Sequence, residues 1–130
     1  MTSIRTGCDL ADVADVVAGI AAHGERYLTR VFTARERRDT DDDPERLAAR
    51  FAGKEAVVKL LRPSDTRALP LLDVAIVLDA VGAPLVELSG AAAALAEEQG
   101  VGPIAVSLSH ERGLALATAV ALVEHRRPQT

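Results

Sequence analysis

Residues 44–61, PERLAARFAGKEAVVKLL, carry the one pattern in this chain that admits a single reading, and that reading is a long helix. Leu47, Ala48, Phe51, Ala52 and Val58 recur at helical spacing, and Gly53 is the stretch's only glycine. Asp43 stands where it can cap free amides, and Pro44 is tolerated in a first helical turn. The acidic run Asp41, Asp42, Asp43 therefore reads as cap and solvated loop rather than as a metal site. Everything else in a 130-residue chain, about one domain's worth, has to be arranged around that helix. We read residues 1–130 as a single unit.

Aromatic residues make up 2% of the chain and tryptophan is absent, so the core must be built from Ala, Val and Leu with backbones close together. A formal charge of −4 argues against nucleic acid as a partner, which calls for a basic stripe. The single cysteine, Cys8, excludes an internal disulfide and a cysteine-based zinc cluster, and suits a reducing compartment. Residues 1–10 lack a basic region followed by an apolar run, and no apolar stretch is long enough to cross a bilayer. The expectation is a cytoplasmic protein without a membrane partner.

Before the long helix, residues 3–9 read as a short strand ending at Asp9, and residues 11–23 as a helix with Val13, Val16, Val17 and Ile20 on one face. Cys8 is expected to be buried in that strand. Residues 25–38 are arginine-rich and mixed in pattern. After the long helix, residues 62–70 carry two prolines and read as a loop. LLDVAIVLDA, turn VGAP and PLVEL make a hairpin; Ser89 is set to cap an alanine-rich helix that Gly100 ends. Residues 104–109, IAVSLS, alternate cleanly, and GLALATAVALVE is taken as a strand paired with them across HERG. The fold class is α/β, of the α+β kind: a small, mainly antiparallel sheet around a long helix.

Glu55 is the most informative residue for function. It falls on the stripe of Phe51, Ala52 and Val58, where a bare carboxylate needs a cation. Lys59, one turn on, is an ordinary helix partner. A second isolated acid, Asp9, lies beside Gly7, and two carboxylates with a lysine suit a hard cation that holds a phosphate. The string SLSH, Ser107 to His110, lacks the glycines of a nucleophile elbow; its hydroxyls and imidazole suit hydrogen bonds to phosphate, or simply close a turn.

GCDL at 7–10, FTARER at 32–37, RFAGKEAVVK at 50–59, GAPLVELSG at 82–90 and VSLSH at 106–110 resemble, in order and spacing, the motifs of the holo-acyl carrier protein synthases. The resemblance implies the 4′-phosphopantetheinyl transferase fold, a homotrimer with sites at subunit interfaces, and transfer of 4′-phosphopantetheine from coenzyme A to an acyl carrier protein. It implies Asp9 and Glu55 as Mg²⁺ ligands, Glu55 and Lys59 as catalytic, and Lys59 at the pyrophosphate. It implies Arg50, Ser109 and His110 near the nucleotide and its 3′-phosphate, with Gly82 to Pro84 near the adenine. Arg26 and Arg30 fall where the family presents basic residues to an acidic carrier. Two departures stand out: LLRPSDTRALP replaces a glycine-rich turn after the long helix, and Asp12 and Asp15 replace basic residues early in the first helix. The alternative is a coenzyme-A-binding or structural trimer without transferase activity.

Overall fold

The computed structural model describes residues 1–125; residues 126–130 of the expected single unit lie outside that range. The long helix, α4, spans Pro44–Leu61 as its sequence asks. The Asp43 carboxylate accepts from the Arg46 amide at 3.1 Å, and Pro44 opens the first turn. Three shorter helices precede it: α1, Val13–His23, α2, Glu25–Val31, and α3, Ala34–Thr40. The segment that looked mixed in sequence is thus two helices broken at Phe32 and Thr33. Thr33 and Glu36 form a reciprocal capping box that starts α3.

The first strand, β1, runs Thr2–Asp12, three residues beyond the expected end at Asp9. It continues until Asp12 turns its carboxylate onto the Ala14 amide and caps α1. β1 is an edge strand of an antiparallel sheet in the order β1-β5-β4, where β4 is Ala105–Glu111 and β5 is Leu114–Glu124. The expected pairing of β4 with β5 holds, but the turn is tighter than HERG. Only Arg112 and Gly113 lie outside the ladder, both with positive φ (54° and 78°), as a two-residue hairpin turn requires. A separate two-stranded hairpin joins β2, Val74–Leu78, to β3, Pro84–Leu88. The residues 71–73 assigned to that strand in sequence instead form a single 3₁₀ turn.

Helix α5, Gly90–Gln99, ends at Gly100 as expected, but its cap comes from elsewhere. Ser89 occupies the cap position without a side-chain bond, and the Asp73 carboxylate accepts from the Ala91 amide at 2.9 Å instead. With φ 51° at Gly90 and the Asp73 carboxylate against its backbone, a side chain there has no room.

Close packing of α4 on the sheet sets the rest of the core. A Cβ on Gly7 would lie 2.0 Å from the Ala56 carbonyl oxygen, so helix and strand touch backbone to backbone. Under that contact β5 turns Ala115, Ala117, Ala119 and Ala121 inward, all buried, and presents Leu114, Leu116, Val120 and Leu122 outward. The small residues face the core because nothing larger fits beneath α4. The outward face continues across the register through Leu10 and Ile4, which pair with Leu116 and Leu122. Ile4 is 70% exposed, Leu10 63% and Leu122 59%. Cys8 also lies on this exposed face, opposite Thr118, and is not the buried strand residue expected from sequence.

Candidate functional site

Strand β1 places Asp9 on the same inward face as Gly7 and Ala11, which brings its carboxylate to the open flank of α4. Lys59 reaches it there: Nζ donates to Asp9 Oδ1 at 2.8 Å and to the Cys8 carbonyl at 3.1 Å. The helical partner expected for Lys59 was Glu55; its ion pair is with Asp9. Glu55 is not on the buried stripe either. α4 buries Leu47, Ala48, Ala52, Ala56, Val57, Leu60 and Leu61, while Phe51, Glu55 and Val58 form a half-buried flank that ends at the exposed Lys59.

Half-burial first, then the nearby Asp9 charge, pushes the Glu55 carboxyl above its ordinary range, and Lys59 opposes the shift. Two neighbouring carboxylates, one of them half-buried, next to a lysine already bonded to the other, make a donor set suited to a hard divalent cation. Asp9 and Glu55 would be its protein ligands, with the remaining positions left to water and a phosphate. The bond it donates to Asp9 in turn raises the proton affinity of the Lys59 ammonium above its usual range, so it stays charged.

A cavity of about 460 Å³ opens on the other flank of α4. Arg46, Arg50, Gly82, Pro84 and His110 all line it, so four of the residues singled out for the nucleotide from sequence converge. Arg50 is 8% exposed and its Nε is buried without a hydrogen-bond partner. Burial lowers the affinity of its guanidinium for a proton, against the Asp39 and Glu36 charges, yet arginine remains charged near neutrality. Arg50 lines the cavity, so the rest of its guanidinium is placed to meet an anion there. At the mouth, His110 Nδ1 lies 3.6 Å from the Glu45 carboxylate.

Ser109 does not join them. β4 alternates, so Leu108 faces α4 while Ser109 lies on the opposite face, across from Leu116.

The carboxylate pair and the cavity are separated within one chain. Asp9 pairs with Ala117, which pairs with Leu108, so acid and cavity sit on opposite edge strands, about 10 Å apart by strand spacing. Arg50 and Glu55 are five residues apart on α4, about 140° around its axis. The helix stands between them.

Sequence reading missed the buried ionic network that holds the cavity wall. Lys54 and Glu36 are fully buried; Lys54 Nζ donates to Glu36 Oε1 at 2.6 Å and to the Val74 carbonyl at 2.7 Å. Glu36 also accepts from the Thr33 amide at 2.8 Å and the Ile76 amide at 3.0 Å. Asp39 accepts from the Leu78 amide at 3.0 Å, and Arg35 donates to the Leu78 carbonyl at 2.8 Å. Side chains of α3 and α4 thereby satisfy the free edge of β2 as a neighbouring strand would. The signal was present: Lys54 lies one turn from Arg50 and Val57 on the buried stripe, and T-x-x-E at 33–36 is a capping-box pattern.

Arg26 and Arg30 are exposed on α2, where with Tyr27 and His23 they line a shallow depression. Neither makes an ion pair among the described residues. Arg37, by contrast, forks onto Glu25 at 2.8 Å and Asp42 at 2.8 Å, tying the start of α2 to the turn before α4.

Comparison with known proteins shows the family of the chain. The profile of the 4′-phosphopantetheinyl transferase superfamily matches residues 5–119. The holo-[acyl-carrier-protein] synthase of Chloroflexus aggregans is 39% identical over 132 residues, covering 91% of this chain and 94% of that protein. That of Anaeromyxobacter dehalogenans is 40% identical over 121 residues, covering 88% and 91%. Among solved structures, the Helicobacter pylori holo-[acyl-carrier-protein] synthase in complex with coenzyme A superimposes with a TM-score of 0.79 at 27% identity, covering 89% of this chain and 98% of that one. The Mycobacterium tuberculosis acyl carrier protein synthase does so with a TM-score of 0.68 at 35% identity, covering 92% and 97%. By profile, identity and fold, this chain belongs to the 4′-phosphopantetheinyl transferase superfamily.

Proposed function

We infer that this protein transfers the 4′-phosphopantetheine group of coenzyme A to a serine of an apo-acyl carrier protein, releasing 3′,5′-ADP. The convergence of Asp9, Glu55 and Lys59 at one point on the open flank of α4 carries the reading. In the reaction the serine oxygen attacks the β-phosphorus, the bond from that phosphorus to the bridging oxygen breaks, and the serine proton is released. Mg²⁺ held by Asp9 and Glu55 would neutralise pyrophosphate charge. Lys59, fixed by Asp9, offsets the charge that builds on the phosphoryl oxygens. Arg50 and His110 hold the 3′-phosphate, and Gly82 and Pro84 border the adenine.

The working unit in this reading is a homotrimer, with each site built from two copies. Two observations support it. The outward sheet face exposes Ile4, Leu10, Leu116, Val120 and Leu122, an unusual number of large apolar side chains on an edge and a central strand. The carboxylates and the cavity lie on opposite flanks of α4, so one coenzyme molecule meets both when one copy's carboxylates face another's cavity. Ser109, on the outward face, then lies at the junction. The single exposed cysteine suits the reducing cytoplasm, where we place the reaction.

Incubation of the protein with coenzyme A, Mg²⁺ and an apo-carrier, followed by mass spectrometry of the carrier, tests the reading. The carrier gains the phosphopantetheine mass, and chelation, Asp9→Asn or Glu55→Gln each prevents it. Coenzyme A binding without any carrier modification would establish the non-catalytic alternative instead.

A further inference from the structure

Arg62 ends α4 in a conformation that arginine seldom takes. Its φ of 51° and ψ of 59° are left-handed, where Cβ crowds the backbone and glycine or asparagine is the usual occupant. Pro63 follows and forbids a further helical turn, but a residue before proline ordinarily answers by becoming extended. The Arg62 amide still donates to the Val58 carbonyl at 3.1 Å, so its Cα completes the helix and its position follows from helical spacing.

That spacing aligns it with the phosphate site. Glu55, Lys59 and Arg62 stand at i, i+4 and i+7, within an arc of about 60°, and Arg62 lies about 4.5 Å beyond Lys59 along the axis. Arg62 is exposed and makes no side-chain hydrogen bond or ion pair among the described residues, whereas its neighbour Arg67 pairs with Glu98 at 2.9 Å. Arg5 sits close enough for the two guanidiniums to repel: burial first, then Arg62, lowers Arg5's proton affinity. Arg5 is spoken for, donating to the Leu60 carbonyl at 3.3 Å and to Gln99. Favourable placement of a cation at a helix C-terminus explains the charge, but not why it is kept on a strained backbone beside a second guanidinium.

We propose that Arg62 is a second cation of the phosphate site, extending the row from Lys59 so that its guanidinium binds the pyrophosphate of coenzyme A. The proposal rests on the transferase reading above and adds a residue to it. Residues 62–70 contain no glycine, and Arg62 is the first side chain of that loop. Because the 3′-phosphate cavity opens on the opposite flank of α4, the contact is specific to the pyrophosphate.

The test compares wild type with Arg62→Gly, Arg62→Asn and Arg62→Lys, by transfer kinetics and by calorimetric titration with coenzyme A in Mg²⁺. Glycine and asparagine relax the backbone, so thermal stability rises for Arg62→Gly while the KM and Kd for coenzyme A rise about tenfold, the size of one lost charge-assisted contact. The loss is the same for 3′-dephospho-coenzyme A, the carrier KM stays within about twofold, and Arg62→Lys recovers part of the affinity. Unchanged coenzyme A affinity in Arg62→Gly, a loss confined to the ligand bearing the 3′-phosphate, or a rise in carrier KM alone would each overturn the proposal while leaving the transferase reading in place. A wild-type protein that neither transfers nor binds coenzyme A would overturn both.

Discussion

Replacing Lys54 by methionine removes one ammonium from the centre of the molecule and little else. The stem keeps its length and Phe32 keeps its neighbour, but the Glu36 carboxylate loses the donor at 2.6 Å and the Val74 carbonyl loses the one at 2.7 Å. Both side chains are 0% exposed, so no water replaces the lost contacts without opening the core. Removing one partner of a buried pair costs about 3–5 kcal/mol, because the remaining charge is left desolvated. Glu36 keeps the Thr33 and Ile76 amides, which places the expected loss near the middle of that range. Against a total stability of about 5–15 kcal/mol this is a large fraction. Urea titration followed by circular dichroism, at fixed protein concentration, measures it. Adding Glu36→Gln to Lys54→Met removes the stranded charge and should recover a substantial part of the loss. A cost below about 1 kcal/mol for Lys54→Met would refute the reasoning, since it would mean the pair is solvated rather than buried.

Three further outcomes follow from the site. Glu55 has a raised folded-state pKa, so its contribution is fully present below the ordinary carboxyl range and is lost as pH rises through the raised value. In chelator, Glu55→Gln should therefore be more stable than wild type at about pH 8 but not at about pH 4, and equal stabilities at both would contradict the shift. Arg50→Ala and His110→Ala should weaken coenzyme A much more than 3′-dephospho-coenzyme A, and an equal loss for both ligands removes these residues from the 3′-phosphate. Arg26→Glu with Arg30→Glu should raise the carrier KM strongly and leave that of coenzyme A nearly unchanged, with added salt weakening wild type more than the variant. An unmoved carrier KM would show that docking uses another surface.

Local rules in the sequence carried most of the fold. Asp43, Pro44, Gly100 and the alternation of residues 104–109 and 114–124 mark their elements because caps, turns and strand pleats are short-range requirements. Glu55 and Asp9 were legible as isolated acids, but the reason first given for Glu55 was incorrect. α4 is buried nearly all round, and a helical stripe drawn from Phe51 and Val58 picks out its open flank instead of its core side. The lysine beside Glu55 in sequence, Lys54, is the buried charge, and its partner Glu36 comes from another helix that periodicity could not place against it. Cys8 was misjudged for a related reason: β1 packs so closely on α4 through Gly7 that its inward positions are Gly7, Asp9 and Ala11, which leaves Cys8 outside. Which face of β5 is the core follows from the same tertiary contact, since the larger residues are the ones that point away.

Mixing two differently crippled chains tests directly the proposed transfer site, where the carboxylates of one copy meet the cavity of another. Glu55→Gln removes a proposed metal ligand, while Arg46→Ala with His110→Ala strips two polar side chains from the cavity lining; each protein alone should transfer little at low coenzyme A concentration. Co-refolded in equal amounts, they should regain about a quarter of wild-type turnover, since each site needs a cavity from one kind of copy and carboxylates from the other. Turnover no greater than the sum of the two separate proteins would contradict the shared site.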